Sequence, residues 1–302
     1  MTKLSAWVHA ARLRTLPLSL SGILAGTALA LGSGYSDGGL FLLMLATTIA
    51  YQVTSNFAND YGDGIKGTDN EFRVGPQRAM QSGALSASDL RRGIWLSSSV
   101  SAVLTLGTLL YAFGTDSLGY LLLFLLLGST AIWASIKYTV GSDAYGYRGL
   151  GDIFVFLFFG LLSVLGSYFL FTHSLALESF LPAIAIGALS TGVLNLNNLR
   201  DCESDNRSGK RTLVVQMGYA NGVRYHIALC LLAFLALLYY VVIQDRPLYF
   251  LPCLIPFVFI GMHLRTVTRI ADPASLDPEL KKLALSTFGI GLLLLAVNYY
   301  FS

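Results

Sequence analysis

The sequence predicts an all-α protein that crosses a membrane nine times as a single bundle over residues 1–302, and three observations carry that expectation. Apolar residues make up 54% of the chain against 12% charged, and mean hydropathy is +0.62. The apolar residues come in long blocks, where a soluble chain would interrupt them with charge to keep a wetted surface. The positive charges alternate strictly with those blocks, and acids and amides collect at the ends of two of them, four blocks apart.

Taking ~20 apolar residues per span, the blocks fall near 10–32, 40–61, 94–114, 118–138, 153–172, 178–199, 225–243, 248–268 and 283–301. The first is interrupted by Arg12, Arg14 and Pro17, and no small-residue cleavage site follows a short apolar core. It reads as a retained helix rather than a signal peptide. Frequent glycines inside the blocks, such as Gly22, Gly26, Gly160 and Gly187, favour close helix packing and a compact bundle. Cys202, Cys230 and Cys253 are scattered singly and read as packing residues, and the spacing of His9, His173, His226 and His263 on separate segments indicates no metal site.

Orientation follows from the cations. With the N-terminus inside, 19 of the 20 Lys and Arg residues fall on one side and only Arg246 lies opposite. A wrong count of spans would scramble this alternation. The expected placement is a bacterial inner membrane, N-terminus cytoplasmic and C-terminus on the far side, with the longest polar loops, about 62–93 and 200–224, facing the cytoplasm.

At the end of the second block, Asn56, Asp60 and Asp63 stand at i, i+4 and i+7, so a helix stacks them on one face. At the end of the sixth, Asn198, Asp201 and Asp205 stand at i, i+3 and i+7. Both faces are followed by a glycine-containing basic loop, which reads as an internal echo of two four-helix units plus a ninth helix. Ionisable groups at such depth are costly and mark a functional site. Two facing carboxylate clusters repel unless a cation lies between them. Carboxylate and amide oxygens suit Mg²⁺, which is held by one or two carboxylates and by substrate phosphates. Two metal-bearing faces can clamp one diphosphate, with Lys66, Arg78, Lys137, Lys210 and Arg211 available to neutralise its oxygens. Charge withdrawn from a diphosphate makes it a better leaving group, and aromatic residues such as Tyr51, Phe57, Tyr138, Phe154, Phe156, Phe158 and Phe159 can line an apolar channel or face a carbocation.

At these residues the chain resembles the UbiA-type intramembrane prenyltransferase superfamily, and within it the 1,4-dihydroxy-2-naphthoate polyprenyltransferase branch of menaquinone synthesis. The first motif is Asn59-Asp60-Tyr61-Gly62-Asp63, then Lys66-Gly67-Thr68-Asp69, Gly75-Pro76-Gln77-Arg78 and Gln81-Ser82-Gly83. The second is Asn197-Asn198-Leu199-Arg200-Asp201, Asp205, and Gly209-Lys210-Arg211-Thr212-Leu213. Gly149-Leu150-Gly151-Asp152 and Arg12-Leu13-Arg14-Thr15-Leu16-Pro17 resemble the same branch. The wider superfamily often closes its first motif with Asp where Gly67 stands here, and the third carboxylate is instead Asp69.

The resemblance implies a Mg²⁺-dependent enzyme that moves a polyprenyl group from its diphosphate to the naphthoate ring with loss of diphosphate and CO₂, giving demethylmenaquinone, in a central cavity open to the cytoplasm. It implies two Mg²⁺ ions, one held by Asn56, Asp60 and Asp63 and one by Asn198, Asp201 and Asp205, with Asn59 and Asp69 as further ligands. Arg78, Lys137, Tyr138, Arg200, Lys210 and Arg211 are the expected substrate-binding residues, and Asp152 is the expected group that positions or deprotonates the acceptor hydroxyl. The expected partners are the polyprenyl diphosphate, an aromatic acid and the bilayer, with no nucleic acid and no obligate protein partner. Alternatives are a sister enzyme taking 4-hydroxybenzoate or homogentisate, and a secondary transporter, whose ion site would lie near the midplane rather than at one surface.

Overall fold

The computed structural model describes residues 2–71, 73–270 and 272–301. Among them, nine helices are long and apolar enough to span a membrane: α1 Lys3–Gly32, α2 Gly38–Ile65, α3 Ala87–Phe113, α4 Leu118–Lys137, α5 Gly151–Thr172, α6 Leu177–Arg200, α7 Tyr219–Val242, α8 Pro247–Val267 and α9 Pro273–Phe301. A short helix, Cys202–Arg207, follows α6.

Several helices begin earlier than their apolar blocks, because hydropathy finds the lipid slab whereas capping finds the helix end. The first turns of α3 are polar, and a capping box starts it: the Ser86 hydroxyl accepts the Asp89 amide at 3.1 Å while the Asp89 carboxylate accepts the Ser86 amide at 3.2 Å. α9 likewise carries Glu279, Lys281 and Lys282 before its apolar run. α1 breaks at Arg12, whose left-handed backbone (φ 49°) ends an amphipathic first segment, and Pro17 then lies in the first turn of the remainder.

α6 is the central post. It packs against α5, α7 and α9, while α1 packs against α9, α5 and α2. The main apolar core gathers Ile186, Leu189, Leu196 and Leu199 of α6 with Leu283, Ile290 and Leu294 of α9. α2, α3 and α4 pack on one another to form the opposite wall. The α2–α3 seam is held in the membrane by hydroxyl pairs, Thr47 with Thr108 at 2.9 Å, Tyr51 with Thr105 at 2.5 Å and Thr54 with Ser101 at 3.3 Å.

A polar thread also crosses α9, α8 and α7. Lys282 Nζ and His263 Nδ1 donate to the two oxygens of Glu279 at 2.5 and 2.7 Å, and the Nε2 atoms of His263 and His226 stand 2.8 Å apart. This network places the His263 proton on Nδ1 and has His226 donate through Nε2. Two histidines that look unrelated in sequence therefore meet across helices.

α5 is wedged between α1 and α6 at glycines. A Cβ on Gly160 would lie 2.5 Å from the Gly187 Cα and 2.8 Å from the Ala183 carbonyl, and one on Gly26 would collide with the Val164 carbonyl. At this crossing, residues Phe156–Leu162 adopt π-helical winding, a wider turn found often beside functional sites. Gly160→Ala must push α5 off α6, and we expect it to destabilise by about 1–3 kcal/mol, seen as a lower thermal midpoint in detergent. Gly261→Ala, with open space around its Cα, should leave that midpoint unchanged.

Candidate active site

Between the two walls lies a cavity of about 400 Å³. Its mouth is polar and its depth apolar: Asp63, Asp201, Asp205, Lys210, Arg12, Arg73 and Arg78 line one end, and Ile23, Met44, Leu109, Phe124 and Leu170 the other. The deep end is closed by an aromatic cluster in which Phe113 packs on Phe124 at 5.3 Å and Phe124 stacks on Phe169 at 5.5 Å.

The last turns of α2 present Asn56, Asn59 and Asp63 to the cavity, at i, i+3 and i+7. Asp60 lies off this face. It is buried and accepts the Ala79 and Met80 amides at 3.1 and 3.2 Å, anchoring the loop that follows α2. Asn56 is partly committed to structure as well, donating to the Ala11 carbonyl at 2.8 Å and to the Thr15 hydroxyl at 3.1 Å across the α1 break.

From the other wall come Asn197, Asn198 and Asp201 at the end of α6 and Asp205 in the short helix. Arg200 lies off the cavity that Asp201 lines, one 100° helical step away. It grips both oxygens of Asp201 at 2.9 and 2.7 Å, the Asn197 side-chain oxygen Oδ1 at 2.7 Å and Asp277 of α9 at 2.6 Å. Arg200 thus acts here as a brace for the carboxylate.

The cations form a collar over the acids. Arg78 approaches Asp63 at 3.5 Å and Asp69 at 3.6 Å, and Arg73 pairs with Asp69 at 2.5 Å. Asp69 itself is buried beneath these arginines and off the cavity. Burial, helped by Asp63 and opposed by Arg73, pushes its carboxyl up to about 7. Lys210 faces Asp205 across 3.7 Å. Burial would lower its ammonium, but Asp63 and Asp205 hold it above the usual lysine range. Asp205 is pushed up to about 6 by burial and by the nearby Asp201 and Asp63, against Lys210.

Tyr147, in the turn between α4 and α5, knits this collar together. Its hydroxyl donates to Asp63 at 2.8 Å and bonds the Thr68 hydroxyl at 2.5 Å, while Lys66 and Lys210 sit over its ring at 3.8 and 5.5 Å. The sequence reading assigns Tyr147 no role, nor Arg12 or Arg73. The available signal is the run Tyr145-Gly146-Tyr147-Arg148 in a loop on the basic side. Tyr138, Tyr145, Phe154 and Phe158 line the cavity as a ladder of rings 5.4, 3.9 and 6.1 Å apart, and burial pushes the Tyr138 phenol up to about 12. Phe57 instead packs on Trp7, and Phe156 on Gly187. Lys137 and Arg211 also lie off the cavity, Arg211 exposed on its loop. Asp152 is buried behind the wall, bonded to Tyr225 of α7, with one oxygen unpartnered.

The donors at the mouth fit a hard cation. Asn59, Asp63, Asn198, Asp201 and Asp205 offer oxygen only, and the crowding that raises Asp205 leaves negative charge for a cation to offset. Among the described residues, no three His, Cys, Asp or Glu side chains converge on one point. An open half-site of this kind suits Mg²⁺, which keeps waters and takes remaining ligands from substrate phosphates, rather than a caged ion.

An all-helical membrane bundle with acids, amides and cations at the mouth of an apolar channel defines an intramembrane transferase for amphiphilic diphosphates. The chain belongs to the UbiA prenyltransferase family, whose description matches residues 19–277. It is 40% identical over 282 residues to the 1,4-dihydroxy-2-naphthoate octaprenyltransferase of Escherichia coli, covering 93% of this chain and 91% of that protein. It is 49% identical over 241 residues to the Haemophilus influenzae protein of the same name, covering 77% of each. A UbiA homologue from Archaeoglobus fulgidus, solved bound to GPP and Mg²⁺, superposes with a TM-score of 0.67 at 16% identity, covering 96% of this chain and 98% of that one.

The placement of the acids separates their roles. Asp63→Asn should reduce turnover by at least about 100-fold and weaken the apparent Mg²⁺ affinity, since it removes charge from the mouth. Asp60→Asn should leave Mg²⁺ affinity near the parent value while lowering the thermal midpoint, because it weakens two loop hydrogen bonds. Steady-state rates against Mg²⁺ concentration, with melts of both variants, distinguish the two.

Proposed function

We propose that the protein transfers a polyprenyl group from its diphosphate to 1,4-dihydroxy-2-naphthoate, releasing diphosphate and CO₂ and forming the reduced, dihydroxy form of demethylmenaquinone. The observation that carries this reading is the continuity of the charged collar with an aromatic, then apolar, channel. The diphosphate sits at the collar, where Arg78, Lys210 and Arg73 meet its oxygens and Tyr147 holds Asp63 and Lys210 in place. Asn59 and Asp63 on one wall, and Asn198, Asp201 and Asp205 on the other, are the groups that would hold two Mg²⁺ ions. Bound there, Mg²⁺ supplies Lewis-acid withdrawal of charge from the leaving diphosphate.

The allylic C–O bond breaks with its electron pair leaving on the diphosphate. The rings of Tyr138, Tyr145, Phe154 and Phe158 face the resulting cation and exclude water. The ring carbon that bears the acceptor's carboxylate attacks, and the C–C bond to CO₂ then breaks, returning its electrons to the ring. A cavity of about 400 Å³ is the size of a small-molecule site: it takes the acceptor and the head of the prenyl chain.

Arg12 is the group for the acceptor's carboxylate. The left-handed break in α1 aims it into the cavity beside Thr15, Ser19 and Gln52, and its Nη2 is buried with no partner. We expect Arg12→Gln to raise the acceptor KM about 10–100-fold, the range of a hydrogen bond to a charged group, with little change in the prenyl diphosphate KM. We place the chain in a bacterial inner membrane with the collar and the N-terminus on the cytoplasmic side, a reading that the Lys and Arg distribution supports.

The defining assay is purified protein in detergent with polyprenyl diphosphate, Mg²⁺ and a panel of aromatic acids. The expected result is decarboxylative prenylation of the naphthoate, abolished by EDTA and restored by Mg²⁺. Prenylation of 4-hydroxybenzoate or homogentisate in place of the naphthoate would overturn the acceptor assignment.

A further inference from the structure

A second cavity, of about 560 Å³, opens on the outer surface between α8 and α9, on the side of the bundle away from the prenyl channel. Pro256, Phe259, Met262, Leu285 and Gly289 form its apolar part, and Arg265, Lys282 and the buried His263 its polar part. The gradient runs along the helices. Arg265 lies in the last turn of α8 and Lys282 near the start of α9, whereas Pro256 and Gly289 lie about 14 and 10 Å deeper at 1.5 Å per residue. The polar end is at the same membrane face as the collar, because Asp277 at the start of α9 bonds Arg200 beside Asp201.

We infer that this groove binds an anionic phospholipid of that leaflet, its phosphate held by Arg265 and Lys282 and an acyl chain laid along Phe259, Met262 and Leu285. The charge pattern selects this occupant. Lys282 has three donors and gives one to Glu279, which turns inward and is buried, so its remaining donors point to the groove. Arg265 is exposed and adds a second cation, and Arg269 and Lys281 are exposed at the same end. A basic pocket between helices at the headgroup level, continuous with an apolar floor, matches both halves of an anionic lipid. A free phosphate would use only the upper half. Gly289 keeps the floor open: a Cβ there meets only Pro256, at 3.7 Å. Bound lipid would staple α8 to α9 and steady the Lys282–Glu279–His263 thread.

The test is a titration of the purified full chain in neutral detergent with phosphatidylglycerol and, in parallel, phosphatidylcholine, with bound lipid counted by native mass spectrometry. Saturable retention of phosphatidylglycerol is expected, about tenfold weaker or more in Arg265→Gln/Lys282→Gln. Gly289→Leu, which fills the floor and changes no charge, should weaken it as well. Equal retention by the charge variant, no effect of Gly289→Leu, equally strong retention of phosphatidylcholine, or displacement by millimolar inorganic phosphate would each overturn the assignment. All variants should keep the parent's helical circular-dichroism spectrum. If the double charge variant does not, Arg265→Gln and Lys282→Gln are read singly by the same criterion.

Discussion

Everything at the mouth of this bundle depends on holding like charges together where water is scarce. Asp63, Asp201 and Asp205 face one cavity from two walls, and like charges repel strongly in a low-dielectric setting. The chain answers with two kinds of contact. Arg200 satisfies Asp201 from behind and ties it to α9, while Arg78, Lys210 and Tyr147 cover Asp63 and Asp205 from the front. The first kind fixes geometry. The second leaves room for a multiply charged ligand, because a collar of cations and acids in near balance can admit a metal diphosphate without burying net charge.

That arrangement also explains why the apolar scaffold is built as it is. The collar needs walls that do not drift, and α5 is held by glycine contacts to α1 and α6 that allow no added methyl group. The same helix carries Phe154 and Phe158 to the cavity, so the packing that sets its distance from α6 also sets the aromatic ladder beneath the collar. On the other wall, hydroxyl pairs along the α2–α3 seam fix the rotation of α2 and therefore which of its polar residues face inward.

The rotation of α2 marks where sequence reading stops short. Asn56, Asp60 and Asp63 and, equally, Asn56, Asn59 and Asp63 satisfy helical spacing, since one residue is only a 100° step. The Ala79 and Met80 amides decide between them by claiming Asp60. The same holds for Arg200, whose motif position says nothing of the bidentate grip it takes on its neighbour, and for Asp152, which Tyr225 holds behind the wall. Tyr147 is invisible for the converse reason: an aromatic in a short loop has no periodicity, and its importance arises from Asp63 and Lys66 at the end of α2 and Lys210 from a distant loop.

By itself, the sequence determined the nine spans, their alternation, the two acidic helix ends and the prenyltransferase family, because hydropathy, charge asymmetry and motif spacing are properties of a chain read along its length. Only the tertiary structure decided which acids face the cavity, which are held off it, and which arginine keeps a buried nitrogen without a partner. Those choices depend on helix rotation and on loops folding back, and hydrogen bonds between residues distant in sequence fix them to within one helical step.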